Sequence, residues 1–177
     1  MDKIKKSPTE ELKDVKVEAV EQECLQEVFN WLCSQDTAQE EEDDDKKAIT
    51  LGGLSRALQK MGERPTRAEV KNMIWEVDDD LDGKINKEEF ETMYRRCIAK
   101  NSFYEPRKFF NLVQFLMYDK EFSGKVTVEQ TLQILYVRHG REKLDNEIKA
   151  IFGEDDKTED GQEKKISYTE YVASVNK

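Results

Sequence analysis

The sequence predicts an all-α fold of four helix-loop-helix units arranged as two pairs, each pair joined by a short loop-to-loop β bridge. Three observations predict it. Apolar residues recur at threes and fours along most of the chain, the period of a half-buried helix. A twelve-residue acidic stretch, Asp78-Asp79-Asp80-Leu81-Asp82-Gly83-Lys84-Ile85-Asn86-Lys87-Glu88-Glu89, interrupts that pattern with helical spacing on both sides. A second twelve-residue stretch, Asp119 to Gln130, repeats the frame in the other half, again with glycine at its sixth place.

The first stretch carries the chemistry. A hard dication needs six to eight oxygens, and short acidic side chains at positions 1, 3 and 5 (Asp78, Asp80 and Asp82) supply three without crowding. Gly83 at position 6 permits a sharp turn, and Lys84 at position 7 offers only its backbone carbonyl. Asn86 at position 9 suits a bridging water, and Glu89 at position 12 brings two carboxylate oxygens. Ile85, between them, is the buried strand residue. The full pattern D-x-[DN]-x-[DN]-G-x5-E is present, and Ca²⁺ is the ion it fits, with Asp78, Asp80, Asp82, Lys84 and Glu89 as ligands. Val70, Met73, Ile74 and Val77 before it, and Phe90, Met93, Tyr94 and Cys97 after it, mark the flanking helices. An acidic turn that joins two helices and holds no ion is the bland alternative.

Composition narrows the partners. At 177 residues the chain suits one domain or two small lobes. With 38% charged residues and a net charge of −10, it disfavours nucleic acid and anionic membrane, and favours cations or basic helices. Cys24, Cys33 and Cys97 form an odd set without metal-ligand spacing. No signal peptide, membrane-length apolar run or lipidation motif is read, so the expectation is a reduced, cytoplasmic protein with no direct membrane anchor.

Taken in order, residues 1–23 read as a partly helical extension, basic at first, with a helix start at Ser7-Pro8-Thr9-Glu10. Leu12, Val15, Ala19, Cys24, Leu25, Val28, Phe29 and Leu32 form an apolar stripe whose phase Val17 and Val20 blur. Residues 24–100 read as the front pair of units. Ile49 stands where a partner for Ile85 belongs, but counting from it puts Lys47 in the glycine place and Gly53 in the glutamate place, so the first loop is enlarged and lacks its ligands. Its acidic run, Glu40 to Asp45, reads as solvated surface. Gly62 and Pro65 end one helix, and Thr66 with Glu69 opens the next, on which Trp75 is read as packing.

Residues 101–106, ending in Pro106, read as a linker that breaks any continuous central helix. Residues 107–177 read as the back pair. In the loop Asp119 to Gln130 the last position holds a neutral amide, and only Asp119 and Glu121 are charged among the expected ligands, which predicts weak binding or none. His139 reads as a residue near a helix C-terminus. The fourth loop carries an insertion before Ile166 and reads as a solvated acidic turn, the alternative being an irregular site of Asp156, Asp160 and Glu170.

Four such units in two pairs resemble the calmodulin and troponin C superfamily of EF-hand proteins over about residues 24–175. That resemblance implies two lobes and target helices bound in apolar grooves. Three of the four loops depart from the pattern, which shifts attention to the front pair. The back half, Phe109-Phe110-Asn111-Leu112-Val113 through Leu135-Tyr136-Val137-Arg138-His139-Gly140, further resembles the EF-hand subunits of flagellar outer dynein arm docking complexes. This second resemblance implies a flagellar axonemal protein bound to coiled-coil partners, a monomer within a hetero-complex.

The function expected is a calcium-binding regulatory subunit or adaptor of a larger assembly, with a helical or coiled-coil protein partner. Met61, Met73 and Met93 are core residues that an opening front lobe would expose. A constitutive, light-chain-like adaptor is the competing reading, and a calcium buffer a weaker one. No phosphate loop, nucleophile motif or catalytic metal set is found, so no enzyme is expected.

Overall fold

The structure, a computed structural model, describes residues 17–37, 43–99, 107–155 and 157–176. The helix start expected at Ser7 to Glu10, the linker 101–106 and Asp156 therefore lie outside the described residues. The front half comprises α1 (Ala19–Ser34), β1 (Ala48–Ile49), α2 (Leu51–Lys60), α3 (Arg67–Trp75), β2 (Ile85–Asn86) and α4 (Lys87–Ile98). The back half comprises α5 (Arg107–Tyr118), β3 (Lys125–Thr127), α6 (Val128–His139), α7 (Arg141–Phe152), β4 (Lys165–Ser167) and α8 (Tyr168–Val175).

The two halves follow one plan. β1 pairs antiparallel with β2, with Ile49 opposite Ile85, and β3 pairs with β4, with Val126 opposite Ile166. All four of these central residues are buried, so each bridge ties two loops together over its own apolar plug. The front bridge joins the residues that the spacing predicts. The fold is the expected one: helical, with paired units and small antiparallel bridges.

One capping device recurs after the loops. Asn86 accepts a hydrogen bond from the Glu89 N–H while Glu89 accepts one from the Asn86 N–H, and Thr127 with Gln130 and Ser167 with Glu170 do the same. Such caps satisfy two of the unpaired donors at a helix start, each worth about 1 kcal/mol. In the first loop Thr50 accepts from the Gly53 N–H, but Gly53 has no side chain to answer it. The cap is half built.

α5 is the hub. It packs on α1, α4, α6 and α8, and its residues from Asn111 to Tyr118 are buried on every side, as suits a helix that is apolar around most of its circumference. Phe29 of α1 meets Phe90 of α4 at a ring-centroid distance of 5.3 Å, and Phe90 meets Phe109 of α5 edge-on at 6.0 Å. That chain of rings carries one continuous core from the front half into the back half. Met61, Met73 and Met93 all lie within it, and so do the three cysteines, which are buried. Burial pushes the Cys33 thiol up to about 12. Among the described residues no helix is long and apolar enough to cross a membrane.

Two packing expectations need correction. Trp75 does not pack inside: it is the last residue of α3 and 69% exposed, because the helix ends there with its indole turned away from the Val70, Met73 and Ile74 face. Val17, just before α1, and Val20, on it, rest against the core, whereas Ala19 is exposed. The helix opens at Ala19 with Glu18 as its cap, and that start sets the phase.

Candidate metal centre

The loop between α3 and β2 brings the three aspartates together. Carboxylate oxygens of Asp78, Asp80 and Asp82 all lie within 4.8 Å of one another, and among the described residues no other group of three or more acidic, histidine or cysteine side chains converges in this way. The backbone builds the cluster. Gly83 has φ +80°, a left-handed turn that glycine enters without steric cost, and its N–H donates to Asp78 Oδ2 at 2.7 Å. Asp82 N–H donates to Asp78 Oδ1 at 3.3 Å and to Asp80 Oδ1 at 3.2 Å, and Lys84 N–H donates to Asp82 Oδ1 at 2.9 Å. Each aspartate is thus held by a donor further along the loop, with its remaining lone pairs free to converge.

Glu89 closes the loop from the α4 side. Its Oε1 accepts from the N–H groups of Asp79 at 3.0 Å and Asp80 at 3.3 Å, and its Oε2 from Asn86 at 3.0 Å. The carboxylate therefore stands across the loop entrance with one end still serving as helix cap. Burial pushes the Glu89 carboxyl above its ordinary range, against the downward pull of the Asn86 and Asp80 N–H groups. For Asp80 the hydrogen bond from Asp82 N–H pulls down, but desolvation, a hydrogen bond with Asp78 and the charges of Asp82 and Asp78 outweigh it, so the carboxyl is raised. Like charges packed this closely call for a cation. The donor set is all oxygen, and it fits Ca²⁺. The Lys84 side chain is exposed, leaving its carbonyl as the group the loop can offer.

Among the described residues, the other loops engage their polar groups internally. In the third, Asp119 is fully buried and accepts from Gly124 N–H at 2.7 Å and Ser123 N–H at 3.0 Å, the same backbone frame. Here the Ser123 hydroxyl oxygen also lies 3.0 Å from both Asp119 Oδ1 and the Lys125 carbonyl oxygen, two acceptors that share its one hydrogen. A protein hydroxyl thus bridges positions 1 and 7, and Gln130 serves only as a cap. In the first, Thr50 Oγ1 donates to Asp36 at 2.6 Å, and Arg56 reaches the Gln35 carbonyl at 2.9 Å and lies 3.9 Å from Asp36. A threonine and a guanidinium thus engage the loop's first carboxylate. In the fourth, the Lys157–Glu163 bridge and the turn from Thr158 to Gly161 form a small hairpin, and Lys164 Nζ caps the Phe152 carbonyl at 2.7 Å. Asp160 is exposed in that hairpin and Glu170 is engaged in its cap.

Sequence reasoning missed the role of Asp36, whose loop lacks any spacing rule, and of Ser123, which reads as an ordinary small residue. It also missed Glu21, fully buried on α1. The one local signal is its helical phase: Glu21 stands three and four residues before Cys24 and Leu25 on the buried stripe, whereas the exposed Glu23 and Glu27 lie off it.

Comparison with known proteins agrees with this geometry. Residues 45–97 match the EF-hand domain pair. EF-hand pairs bind Ca²⁺, and the loop from Asp78 to Glu89 lies within the match. The chain is 31% identical over 135 residues to calcium-dependent protein kinase 9 of Arabidopsis thaliana and 32% identical over 135 residues to kinase 33 of the same plant. Those alignments cover 75% of this chain but only 23% of each kinase, so the chain spans about a quarter of these relatives. Human centrin-3 is 37% identical over 70 residues, 36% of this chain and 42% of centrin-3. The chain is thus similar, over part of its length, to two calcium-dependent protein kinases and to a centrin.

Proposed function

We propose that this EF-hand protein is a non-enzymatic, calcium-responsive regulatory subunit or adaptor of a larger protein assembly. Ca²⁺ sits in the second loop, held by Asp78, Asp80, Asp82, the Lys84 carbonyl and Glu89. The observation that carries this reading is the contrast between loops. Three carboxylates converge in the second loop, whereas in the first a threonine hydroxyl engages Asp36 and in the third a serine hydroxyl engages Asp119 at position 1. Bound there, Ca²⁺ supplies two positive charges to oxygens that otherwise repel one another. Glu89 is also the third residue of α4, so a change in its hydrogen-bond partners acts at the start of that helix.

The partner is a protein, helical or coiled-coil, and the resemblance of the back half to flagellar outer dynein arm docking subunits supports an axonemal setting. A constitutive adaptor is the second reading, favoured by the continuous core that binds the two halves and keeps Met61, Met73 and Met93 buried. Calorimetry with Ca²⁺ tests the site: one tight binding event, abolished by Glu89→Gln, is the result expected. Capture of the partner in calcium and in chelator separates the two readings. A tenfold difference in affinity, about 1.4 kcal/mol, supports regulation, and equal affinities support the adaptor.

A further inference from the structure

A cleft of about 300 Å³ opens where the two halves meet, walled by α2 and α3 on one side and by α5 and α8 on the other. Leu58, Met73, Tyr168 and Val172 give it an apolar lining. The Thr169 hydroxyl of α8 donates to Glu63, in the turn between α2 and α3, at 2.9 Å, and so ties the two walls together. None of the residues that line the cleft is a ligand of the calcium loop.

Asn111 of α5 also lines this cleft. It is only 8% exposed, yet among the described residues its side-chain amide makes no hydrogen bond. Glu89, Asp119 and Thr131, equally buried, each have a partner. A buried amide without one weakens the fold, so its presence here leaves a donor and an acceptor available to whatever enters the cleft. Gln114, further along α5, has an unpartnered Nε2 as well, but it does not line the cleft. The charged side chains around the cleft cancel, Glu63 and Glu69 against Arg64 and Lys108. Glu63 is engaged by Thr169, and Glu69 by the Thr66 N–H at 2.7 Å, so neither carboxylate selects a cationic ligand.

We infer that this cleft binds a small neutral ligand in which an aromatic ring carries an amide. Asn111 presents a donor and an acceptor side by side, and another amide is the neutral group that answers both at once. The ring rests on the Met73 thioether and on the apolar side chains of Leu58 and Val172. The volume suits that size, since a dry cavity of about 150 Å³ accommodates one benzene and pockets for small ligands begin near about 300 Å³. This assignment goes beyond the calcium-responsive reading and does not rest on it.

The test titrates N-methylbenzamide into the full chain in calcium, followed by NMR on the ligand and on the Asn111 side-chain NH₂ signals. Saturable shifts at Asn111 are expected. Methyl benzoate, the same ring without the N–H, and benzoate, which is charged, should each bind about tenfold more weakly or worse. Asn111→Leu keeps the volume and removes both polar atoms, so it is expected to bind amide and ester alike. Val172→Phe fills the cleft from α8, leaves Asn111 in place and is expected to abolish binding; it decides the location even where Asn111→Leu fails to fold. No saturable binding by the native chain overturns the proposal, the cleft then holding water only. So does an ester that binds as tightly as the amide, a preference for the amide that survives Asn111→Leu, or undiminished binding by Val172→Phe. A tenfold gain on placing the same ring and amide within a longer peptide also overturns it, since the cleft would then serve a segment of another protein.

Discussion

Glu21 on α1 and Arg138 on α6, 117 residues apart, meet at 2.6 Å with the glutamate completely buried. The other oxygen of Glu21 accepts the hydroxyl hydrogen of Tyr94, which lies on α4 just beyond the calcium loop. One carboxylate therefore ties the helix that leaves the loop to the back half of the molecule.

Breaking this pair from one side strands a buried charge. Arg138→Met is expected to lower unfolding stability by about 3–5 kcal/mol in urea titration, and the double variant with Glu21→Gln to recover much of that loss. A single variant as stable as the native chain would show that the pair is solvated in solution.

Calcium binding should weaken on acidification. Proton and ion compete for the same oxygens, and the Glu89 and Asp80 carboxyls are both raised. The ion binds the deprotonated form, so affinity is complete well above the raised values and falls as pH drops through them, earlier than ordinary carboxylates would impose. Calcium titrations at a series of pH values check this, and an affinity flat until the ordinary carboxylate range would contradict it.

The third loop is expected to become a calcium site when its bridging hydroxyl and neutral end are both replaced. Ser123→Asp with Gln130→Glu restores acidic groups at positions 5 and 12 within a frame that already matches the second loop. A second binding event in calorimetry is the predicted outcome. A stoichiometry still at one would show that the loop backbone, rather than its donors, excludes the ion.

Neighbouring glycines of α2 should respond differently to alanine. A Cβ on Gly52 meets nothing within 4 Å, so Gly52→Ala should stabilise by about 0.5–1 kcal/mol through helix propensity. On Gly53 a Cβ would lie 3.2 Å from the Leu32 carbonyl oxygen and 3.3 Å from Thr50 Oγ1. Gly53→Ala should therefore give none of that gain, measured by thermal unfolding, and equal gains at the two positions would refute the crowding.

Residues close in sequence decided the calcium loop. Spacing alone places Asp78, Asp80, Asp82, Gly83 and Glu89 in one turn, because a twelve-residue loop closed by backbone hydrogen bonds has little freedom to put them elsewhere. The same local reasoning placed Ile49 opposite Ile85 and identified the capping pair of Thr66 and Glu69, which depend on a repeated frame and on contacts a few residues apart. Only the tertiary structure decided that Trp75 faces out, that Glu21 is buried against Tyr94 and Arg138, that Thr50 closes on Asp36, and that α5 joins both halves into one core. Each of these depends on which helix faces which. That is set by the summed packing of side chains far apart in the chain, a quantity that periodicity and spacing do not contain.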